Sequence, residues 1–251
     1  MIDLGTIFWV EEATSTNSVL AAAADRLEHG TAVAAHKQTA GRGQRGNSWE
    51  SEPGKNLTFS LLLKPKALPA ARQFEISQIV SIAVAQVLRE ELGTDDVKIK
   101  WPNDIYYKDK KIVGILIENS LTGAAIERSI AGIGINVNQA TFHSDAPNPI
   151  SMFAISGHER ALSPLLARFV SRIVGDFDAY EAAPDPEVLS ARYRAMMWRG
   201  EGYWPYRDCL TGETIQARIA DVAPTGHLTL APPAPASTRT YAFKEVAAIL
   251  S

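Results

Sequence analysis

A glycine-rich loop at residues 41–49 (GRGQRGNSW) constrains the fold more than any other stretch of this chain. Glycine has no Cβ, so its backbone N–H groups can approach an anion closely, and arginine adds a planar set of donors. Residues 50–54 (ESEPG) cannot continue as a helix, whereas residues 57–63 (LTFSLLL) have the composition of a strand. The loop is therefore expected to join two strands and to hold an anion.

The context of this loop excludes three known glycine patterns. Gly41-x-Gly43-x-x-Gly46 matches a dinucleotide-binding fingerprint, but that motif needs a helix to begin in the turn. A Walker phosphate-binding loop requires lysine where Asn47 stands. A protein-kinase loop requires HRD and DFG triplets, which the sequence lacks. A mobile surface loop with solvated charges is the remaining alternative.

Length and charge narrow the class of protein. The chain has 251 residues, of which 46% are hydrophobic and 21% charged, which suits one large or two unequal domains with a full core. The net charge of −3 gives no general attraction to nucleic acid or to an anionic membrane, so neither is expected as a partner. Residues 37–55 are locally cationic, with four lysines and arginines against two glutamates.

Cysteine and histidine usage argues against a metal site built from these residues. Cys209 is the only cysteine, which excludes an internal disulfide, and the five histidines show no metal-ligand spacing. The first residues form no basic segment followed by a long apolar run, and no apolar stretch reaches the roughly 18 residues of a membrane span. These features predict a cytoplasmic protein.

Hydrophobic periodicity and turn residues predict the elements. A Ser15-Thr16-Asn17 triplet is expected to cap a helix that reaches about residue 27. From residue 200, short strands with close turns predict a small barrel, so the expected domains are residues 1–199 and 200–251. Strands are predicted at residues 7–10, 31–36, 57–63, 97–101, 105–107, 111–118 and 124–138, and further helices at 73–92, 163–181 and 186–198.

Two predicted strands carry residues suited to a binding site. In residues 97–101, Lys98 and Lys100 share one face, which is either a solvated edge or part of a site, and a rigid polar turn (WPND) follows. In residues 132–138, Gly132 and Gly134 share a face with Asn136 and Asn138. Such a face indicates either close approach of a ligand or another backbone, or a β-bulge at a sheet edge.

Four segments together resemble the biotin protein ligases. They are residues 15–17, Gln38 with residues 41–49, residues 100–104 (KWPND), and Lys111-x-x-Gly114 with residues 132–136. The resemblance extends from about residue 7 to residue 140, and the later helices and small barrel fit it more loosely. It implies an α+β fold: a mixed-sheet catalytic domain of the biotin/lipoate protein ligase type, with a small C-terminal SH3-like β-barrel.

The resemblance also implies two half-reactions. Biotin and MgATP give biotinyl-5′-AMP and pyrophosphate, and the acyl group then passes to a lysine of a biotin carboxyl carrier protein of the acetyl-CoA carboxylase type. Mg²⁺ is expected only with ATP and not as a tightly bound metal. Because the reacting carboxylate and phosphate are both anions, Lys100 and Arg42 are expected to stabilise the transition state. Family members can pair through sheet edges, so a homodimer is a further possibility.

The same resemblance assigns the ligand contacts by position. Trp49 would pack against adenine, and Asn136 would lie near the nucleotide. The residues expected to bind biotin are Ser15, Thr16, Asn17, Gln38, Gly41, Arg42, Gly43, Lys100, Gly114, Gly132 and Gly134. The residues expected to bind ATP or the adenylate are Gln44, Arg45, Gly46, Asn47, Trp49, Asn103, Lys111 and Asn136.

The chain departs from the family pattern at two loop positions. Gln44 and Asn47 stand where familiar members have arginine, which should weaken retention of the adenylate, so we expect Gln44→Arg to lower release of free biotinyl-AMP. The first family motif lies at residue 15, so no helix-turn-helix domain is expected before it. A lipoate or octanoate ligase of the same fold is the alternative enzyme, and a non-catalytic biotin sensor is the alternative of another class.

Overall fold

The residues that the structure describes form two sheets, one of seven strands and one of five. A computed structural model describes residues 6–43, 48–143 and 148–250. The strands are β1 (Ile7–Ala13), β2 (Ala32–Gln38), β3 (Leu57–Leu63), β4 (Val97–Lys100), β5 (Asp104–Tyr107), β6 (Lys110–Thr122), β7 (Ala125–Ile135), β8 (Trp204–Asp208), β9 (Thr214–Val222), β10 (Leu228–Ala231), β11 (Arg239–Tyr241) and β12 (Val246–Ala248). The helices are α1 (Thr16–Ala23), α2 (Phe74–Leu92), α3 (Met152–Ser156), α4 (Leu162–Ala182) and α5 (Pro186–Ala195).

The larger sheet is mixed and has the strand order β1-β2-β3-β7-β6-β5-β4. Its first pair, β1 and β2, is parallel, and every other neighbouring pair is antiparallel. Strands β2 and β3 are therefore antiparallel neighbours, and the glycine-rich segment lies in the connection between them. The predicted strand–loop–strand arrangement is confirmed.

One face of the larger sheet carries the main hydrophobic core. Strand side chains such as Phe59 and Ile133 pack there with α2 and α4, whose Val84 and Phe169 are fully buried. The predicted apolar helix at residues 73–92 is confirmed as α2, which is buried along most of its length. This layer of helices makes the sheet a rigid support for its opposite face.

The opposite face is covered only in part by α1. Leu20 and Ala24 pack there on Val33, Leu62 and Ile130 in a second, smaller cluster. The helix is shorter than predicted, because it ends at Ala23 and a single 3-10 turn (Ala24–Arg26) follows. Beside the ends of β3, β6 and β7, the rest of this face borders a cavity among the described residues.

The smaller sheet is antiparallel, with the order β11-β10-β9-β8-β12, and fits the predicted SH3-like barrel. The helix predicted to reach residue 198 ends at Ala195. The next residues instead hydrogen-bond to β4, where Ile99 N donates to the Met196 carbonyl and Trp198 N donates to the Ile99 carbonyl, both at 2.8 Å. The edge of β4 is therefore covered. The domain boundary at residues 199/200 stays a prediction.

The loop-rich stretch before α4 contains a short helix that was not predicted. Helix α3 has five residues; the Ser151 side chain caps its start, and Gly157 ends it with a φ of 72°. One turn is too short for a hydrophobic period to be recognised in the sequence. In the described part of the chain, no helix is both long and apolar enough to cross a membrane.

Candidate active site

Three glycines form the floor of a cavity on the open face of the larger sheet. Gly114 of β6 pairs directly with Gly134 of β7, and Gly132 of β7 pairs with Ser60 of β3. The pairing is continuous around both β7 glycines, and β7 lies inside the sheet. The alternative of a β-bulge at a sheet edge is therefore wrong. Strand β7 ends at Ile135, so Asn136 lies just beyond it.

The glycines leave room for two side chains of the site. A Cβ on Gly132 would overlap the carboxamide of Asn17, and a Cβ on Gly134 would overlap the indole of Trp49. A Cβ on Gly114 would lie 2.7 Å from Cζ3 of the same indole. Any larger residue at these positions would displace Asn17 or Trp49, so the glycines act through these two side chains.

The cavity has a volume of about 790 Å³ and brings together most of the predicted site residues. Gly41 lies outside the lining, because it packs against the Trp49 backbone. The predicted positions Gln44, Arg45, Gly46 and Asn47 fall outside the described residues. The predicted residues that line the cavity are Ser15, Thr16, Asn17, Gln38, Arg42, Gly43, Trp49, Lys100, Asn103, Lys111, Gly114, Gly132, Gly134 and Asn136.

The start of α1 points polar groups into one end of the cavity. Ser15 occupies the N-cap position, but its side chain makes no capping hydrogen bond, so that part of the prediction is wrong. Gln38 at the end of β2 takes over this role, since its Oε1 accepts from Thr16 N at 2.8 Å and from Thr16 Oγ1 at 3.3 Å. The helix start and β2 are thereby fixed to each other.

A hydrogen-bond network behind this end contains two residues that the sequence did not reveal. Ser60 Oγ lies 2.5 Å from Asn17 Oδ1 and 2.7 Å from Thr16 Oγ1. Asn17 Nδ2 donates to Glu118 Oε2 at 2.6 Å. These contacts set which way the Asn17 carboxamide faces. Ser60 could have been suspected as one of two polar residues in a mostly apolar strand, but Glu118 carries no such signal.

Arg42 of the glycine-rich loop joins the same network. Its Nη2 lies 3.2 Å from Glu118 Oε2 and 3.5 Å from Ser18 Oγ. The two ends of the loop are closed, because Trp49 N donates to the Gly41 carbonyl at 3.0 Å and Arg42 forms a β-bridge with Ser48. A single carboxylate therefore connects the loop, α1 and β6.

The opposite end of the cavity is cationic. Lys100 ends β4, and burial lowers the pKa of its ammonium group; the Asp104 carboxylate opposes this change, while Lys111 and Arg199 add to it. Lys111 Nζ pairs with Asp104 Oδ2 at 2.8 Å and lies 5.8 Å from the centre of the Trp49 ring. A ligand anion placed here would regain for Lys100 the stabilisation that burial removes.

Three parts of the structure hold the turn after Lys100. Trp101 Nε1 donates at 2.9 Å to the carbonyl of Gly226, in the turn between β9 and β10, and Tyr193 of α5 donates to the Pro102 carbonyl at 2.6 Å. Asn103 Nδ2 donates to the Ile115 carbonyl of β6 at 3.1 Å. Asn103 thus lines the cavity and also fixes the turn. The Trp101–Pro102 peptide bond is cis.

Two buried polar atoms beside the glycine floor lack a hydrogen-bond partner among the described residues. They are Asn136 Oδ1, an acceptor, and Trp49 Nε1, a donor. The other side-chain atom of Asn136 is occupied, since Nδ2 donates to the Ile150 carbonyl at 3.1 Å. A ligand that offers both an N–H and an acceptor nitrogen, as a purine base does, would satisfy both atoms.

A segment beyond β7 closes part of the cavity and was also missed by the sequence analysis. Glu50 Oε1 accepts from His143 N at 2.9 Å and from Gln139 Nε2 at 3.2 Å. Phe142 and His143 line the cavity as a result. The contact joins residues 93 positions apart, which is why no local pattern indicates it.

The carboxylates of the cavity suit a metal that arrives with a phosphate ligand. Within the described ranges, no group of three or more His, Cys, Asp or Glu side chains is placed to hold a metal ion. Asp104 and Glu50 nevertheless line the cavity. Mg²⁺ is commonly bound by one or two carboxylates together with substrate phosphates, so this donor set fits Mg²⁺ as part of MgATP.

The two ends of the cavity differ in charge and are separated along one strand. Lys111 and Glu118 both lie on β6, seven residues apart, which corresponds to about 23 Å of extended strand. Donors and acceptors around Thr16 and Gln38, with the ion pair of Arg42 and Glu118 beside them, occupy one end, and two lysines occupy the other. The arrangement favours an elongated ligand with a neutral polar head and an anionic tail.

Comparisons with known proteins agree with this geometry. The family model described as "Biotin/lipoate A/B protein ligase family" matches residues 9–136. The biotin–[acetyl-CoA-carboxylase] ligase of Paracoccus denitrificans is 34% identical over 190 residues, which is 71% of this chain and 77% of that protein. The bifunctional ligase/repressor BirA of Escherichia coli is 40% identical over 139 residues, which is 55% of this chain and 42% of that protein.

The fold is also that of a solved ligase. The biotin protein ligase of Aquifex aeolicus, in complex with biotin and ATP, superimposes with a TM-score of 0.80 at 23% identity and covers 98% of this chain and 99% of that one. The chain spans less than half the length of the BirA proteins that it matches. The family model nevertheless covers half of the chain, and the Paracoccus ligase aligns over most of its own length. The chain belongs to the biotin/lipoate A/B protein ligase family.

Proposed function

We propose that the protein is an ATP-dependent biotin–protein ligase. The observation that carries the proposal is the polarity of the cavity, with neutral hydrogen-bonding groups around Thr16 and Gln38 at one end and Lys100 and Lys111 at the other. Biotin has a neutral ureido head and a carboxylate tail, and this polarity suits it in one orientation. The proteins named above as biotin ligases support the assignment.

The first half-reaction joins two anions. A carboxylate oxygen of biotin attacks the α-phosphorus of ATP, the new O–P bond forms, and the bond to pyrophosphate breaks. Lys100 stands at the end where this charge gathers, and its burial makes its interaction with an anion strong. Mg²⁺ bound to the ATP phosphates would offset further charge there. We propose that Arg42, which pairs with Glu118, contacts the head of biotin, and its part in stabilising the transition state stays a prediction.

The nucleotide is proposed to lie over the glycine floor. Trp49 offers an indole face beside Gly134, and Asn136 and Trp49 offer the unpartnered acceptor and donor. Lys111 lies close enough to the Trp49 ring to reach a phosphate placed there. This arrangement supports adenine next to Trp49, with its amino group directed at Asn136 Oδ1.

The second half-reaction releases AMP. The ε-nitrogen of an acceptor lysine attacks the acyl carbon of biotinyl-5′-AMP, the C–N bond forms, the C–O bond to AMP breaks, and the nitrogen loses a proton. We assign no general base to this step. A carrier domain of the acetyl-CoA carboxylase type is the proposed acceptor, on the strength of the Paracoccus relative. The cytoplasmic location and the homodimer stay predictions.

ATP–pyrophosphate exchange with biotin and with lipoate tests the proposal. Exchange that needs biotin and falls on the order of 10²–10³-fold in Lys100→Ala is expected, which is the range for removing one transition-state donor. Exchange with lipoate alone would move the assignment to lipoate ligation. Tight biotin binding without exchange would identify a sensor, in which Lys100→Ala should leave binding intact.

A further inference from the structure

A second cavity lies between the two sheets, and we name it the junction pocket. Its volume is about 350 Å³, near the lower limit for ligand sites, which run from roughly 300 to 1,000 Å³. The aromatic side chains in its walls include Trp101, Trp198 and Phe243, and Leu228 and Val246 of the smaller sheet and its edge add aliphatic surface. The pocket therefore suits a small ligand with an apolar body.

Two lysines also line the junction pocket. Lys100 precedes Trp101 in the chain, Lys244 follows Phe243, and the two rings meet edge-on with their centres 6.0 Å apart. Both lysines therefore stand beside the same wall. Among the described residues that line the pocket there is no aspartate or glutamate. Two cations without a carboxylate in the walls favour a ligand that carries an anionic group.

Lys100 is the lysine whose charge is more strongly affected by its surroundings. Burial lowers the pKa of its ammonium group, and the Asp104 carboxylate, which acts against this change, is ion-paired with Lys111 Nζ at 2.8 Å. The Lys100 ammonium group lies 5.4 Å from the centre of the Tyr106 ring. An anion that comes to lie beside a buried ammonium group stabilises its charge. Because Lys100 lines both cavities, such an anion can lie in either one.

A turn with a fixed backbone carries the second lysine. Lys244 has a φ of 72°, and around it Glu245 N donates to the Ala242 carbonyl at 3.1 Å and Ala242 N donates to Glu245 Oε2 at 2.7 Å. Cys209 N donates to the Glu245 carbonyl at 2.8 Å, which ties the turn to the end of β8. The backbone under Lys244 therefore needs little ordering when a ligand binds, which lowers the entropic cost of binding.

The walls and the charges together select the class of ligand. Inorganic phosphate has no apolar surface and would lose its hydration against the rings, so it should bind better in the more polar active-site cavity. A neutral apolar molecule would bring no anion to the two lysines. An aromatic carboxylate meets both requirements, because its ring packs against aromatic walls and its carboxylate accepts from an ammonium group.

We propose that the junction pocket binds a small aromatic monocarboxylate, with the carboxylate at Lys100 and Lys244 and the ring against the apolar walls. A bound acid would hold Lys100 away from the anions of the active-site cavity. It would therefore lower kcat of the first half-reaction and leave KM for biotin unchanged, because the head of biotin is proposed to lie at the other end of that cavity. The inhibition rests on the proposed ligase function, whereas the binding does not.

Equilibrium dialysis of the full chain against 3-phenylpropionate tests the binding. One molecule should bind per chain. 3-Phenylpropionamide has the same apolar body without the charge, and acetate has the charge without the body, so each should bind at least about tenfold more weakly. Binding of the amide as tight as that of the acid would overturn the role of the lysines, and equally tight binding of acetate would overturn the role of the apolar walls.

Two variants locate the bound acid. Ala248 of β12 lines the pocket and is only partly buried, so Ala248→Leu should fold and fill part of the space. Lys244→Gln removes one charge and keeps the length of the side chain. Each should weaken binding of the acid about tenfold. The matched controls are Ala236→Leu and Lys66→Gln, at exposed residues that line neither cavity, and both should bind the acid as the wild type does.

Unchanged affinity in either folded pocket variant would place the acid elsewhere and overturn the proposal. If Ala248→Leu does not fold, Lys244→Gln decides the question by the same criterion. A loss of affinity in the control variants as large as that in the pocket variants would also contradict the proposed site.

Biotin-dependent ATP–pyrophosphate exchange tests the inhibition. 3-Phenylpropionate should lower kcat of the wild type without raising KM for biotin. Without the acid, Ala248→Leu should exchange within about twofold of the wild type, and it should need about tenfold more acid for the same inhibition. A rise in KM for biotin at unchanged kcat would place the acid in the active-site cavity and overturn the proposal.

The two measurements separate this inference from the ligase function. Biotin-dependent exchange without any binding of the acid would remove the pocket and leave the ligase assignment standing. Binding with the expected pattern of variants, in a protein without biotin-dependent exchange, would support the pocket and remove the ligase assignment. Binding in the pocket that leaves exchange unaffected would overturn the inhibitory role of the acid.

Discussion

Lys100 shows how a single residue is tuned by its place in the fold. Its ammonium group is buried at the end of β4, and this desolvation lowers its pKa more strongly than the Asp104 carboxylate raises it. A charge that is costly to bury is stabilised again when an anion binds beside it. The residue therefore gives up folding stability in the free protein and interacts more strongly with the anions of the proposed reaction.

The lowered pKa predicts an alkaline limb for the first half-reaction. As pH rises through the pKa of Lys100, the neutral amine no longer offsets the developing charge. The fall in kcat/KM for biotin in pyrophosphate exchange should therefore begin at a pH below the ordinary titration range of lysine. Lys100→Arg keeps its charge at all accessible pH values. We expect a lower rate in this variant but no alkaline limb. The same limb in both proteins would assign the titration to another group.

Glu118 is a second residue whose substitution should change biotin binding. One oxygen accepts from both Asn17 and Arg42, so Glu118→Ala should free both side chains and raise KM for biotin about tenfold with little change in kcat. The ion pair is nearly half exposed, so loss of its charge should cost less than about 1 kcal/mol of stability. Glu118→Gln keeps an acceptor oxygen and should restore most of the affinity.

Steady-state pyrophosphate exchange at varied biotin checks the Glu118 prediction. Glu12→Ala is a suitable control, because Glu12 forms a comparably exposed ion pair with Lys37 and lies outside the cavity lining. If Glu118→Gln were as impaired as Glu118→Ala, the carboxylate charge rather than the hydrogen bonds would be responsible. A fall in kcat at unchanged KM would contradict the positioning role.

Strand β7 places its two glycines against different side chains of the cavity. Gly132→Ala would push on Asn17, and Gly134→Ala would push on the Trp49 ring. An added methyl in so tight a space costs about 1–3 kcal/mol. We therefore expect Gly132→Ala to raise KM mainly for biotin. Because Gly134 lies against Trp49, we expect Gly134→Ala to raise KM mainly for ATP, although the resemblance to biotin protein ligases counts Gly134 among the biotin-binding residues. Each variant is the control for the other, and a rise in the same KM for both would refute the assignment.

The sequence predicted the elements and motifs better than the contacts between them. The alternation of glycine with isoleucine at residues 132–135 correctly placed both glycines on one face, because period two belongs to the strand itself, but it left open whether that face met a ligand, another backbone or a β-bulge. Glu118 and Ser60 meet Asn17 across sequence separations of 101 and 43 residues, and no local pattern reports such contacts. Helix α5 ended early because residues 196–198 hydrogen-bond to β4, a tertiary contact that competes with helix propensity.

In the whole molecule, the two sheets meet at the cationic end of the cavity. Trp101 Nε1 donates a hydrogen bond to the Gly226 carbonyl. Phe243, between β11 and β12, lines the cavity. Arg199 lies between the rings of Trp198 and Trp204, with its guanidinium carbon 4.0 and 4.8 Å from their centres, and donates to the Ile249 carbonyl at 3.0 Å. The smaller sheet thus supports the strand end that carries Lys100.

Loss of the hydrogen bond from Trp101 to Gly226 is therefore expected to lower the rate of the proposed reaction. Trp101→Phe keeps a ring against Phe243 but removes the donor to Gly226, a loss of about 0.5–1.5 kcal/mol. Because Lys100 directly precedes Trp101, we expect kcat for pyrophosphate exchange to fall about three- to tenfold. KM for biotin should change little, since the neutral head is held at the far end of β6. Trp204→Phe is the matched control, because Trp204 Nε1 donates to the Glu201 carbonyl within one short segment. Equal kinetics in the two variants would show that Lys100 is positioned by the larger sheet alone.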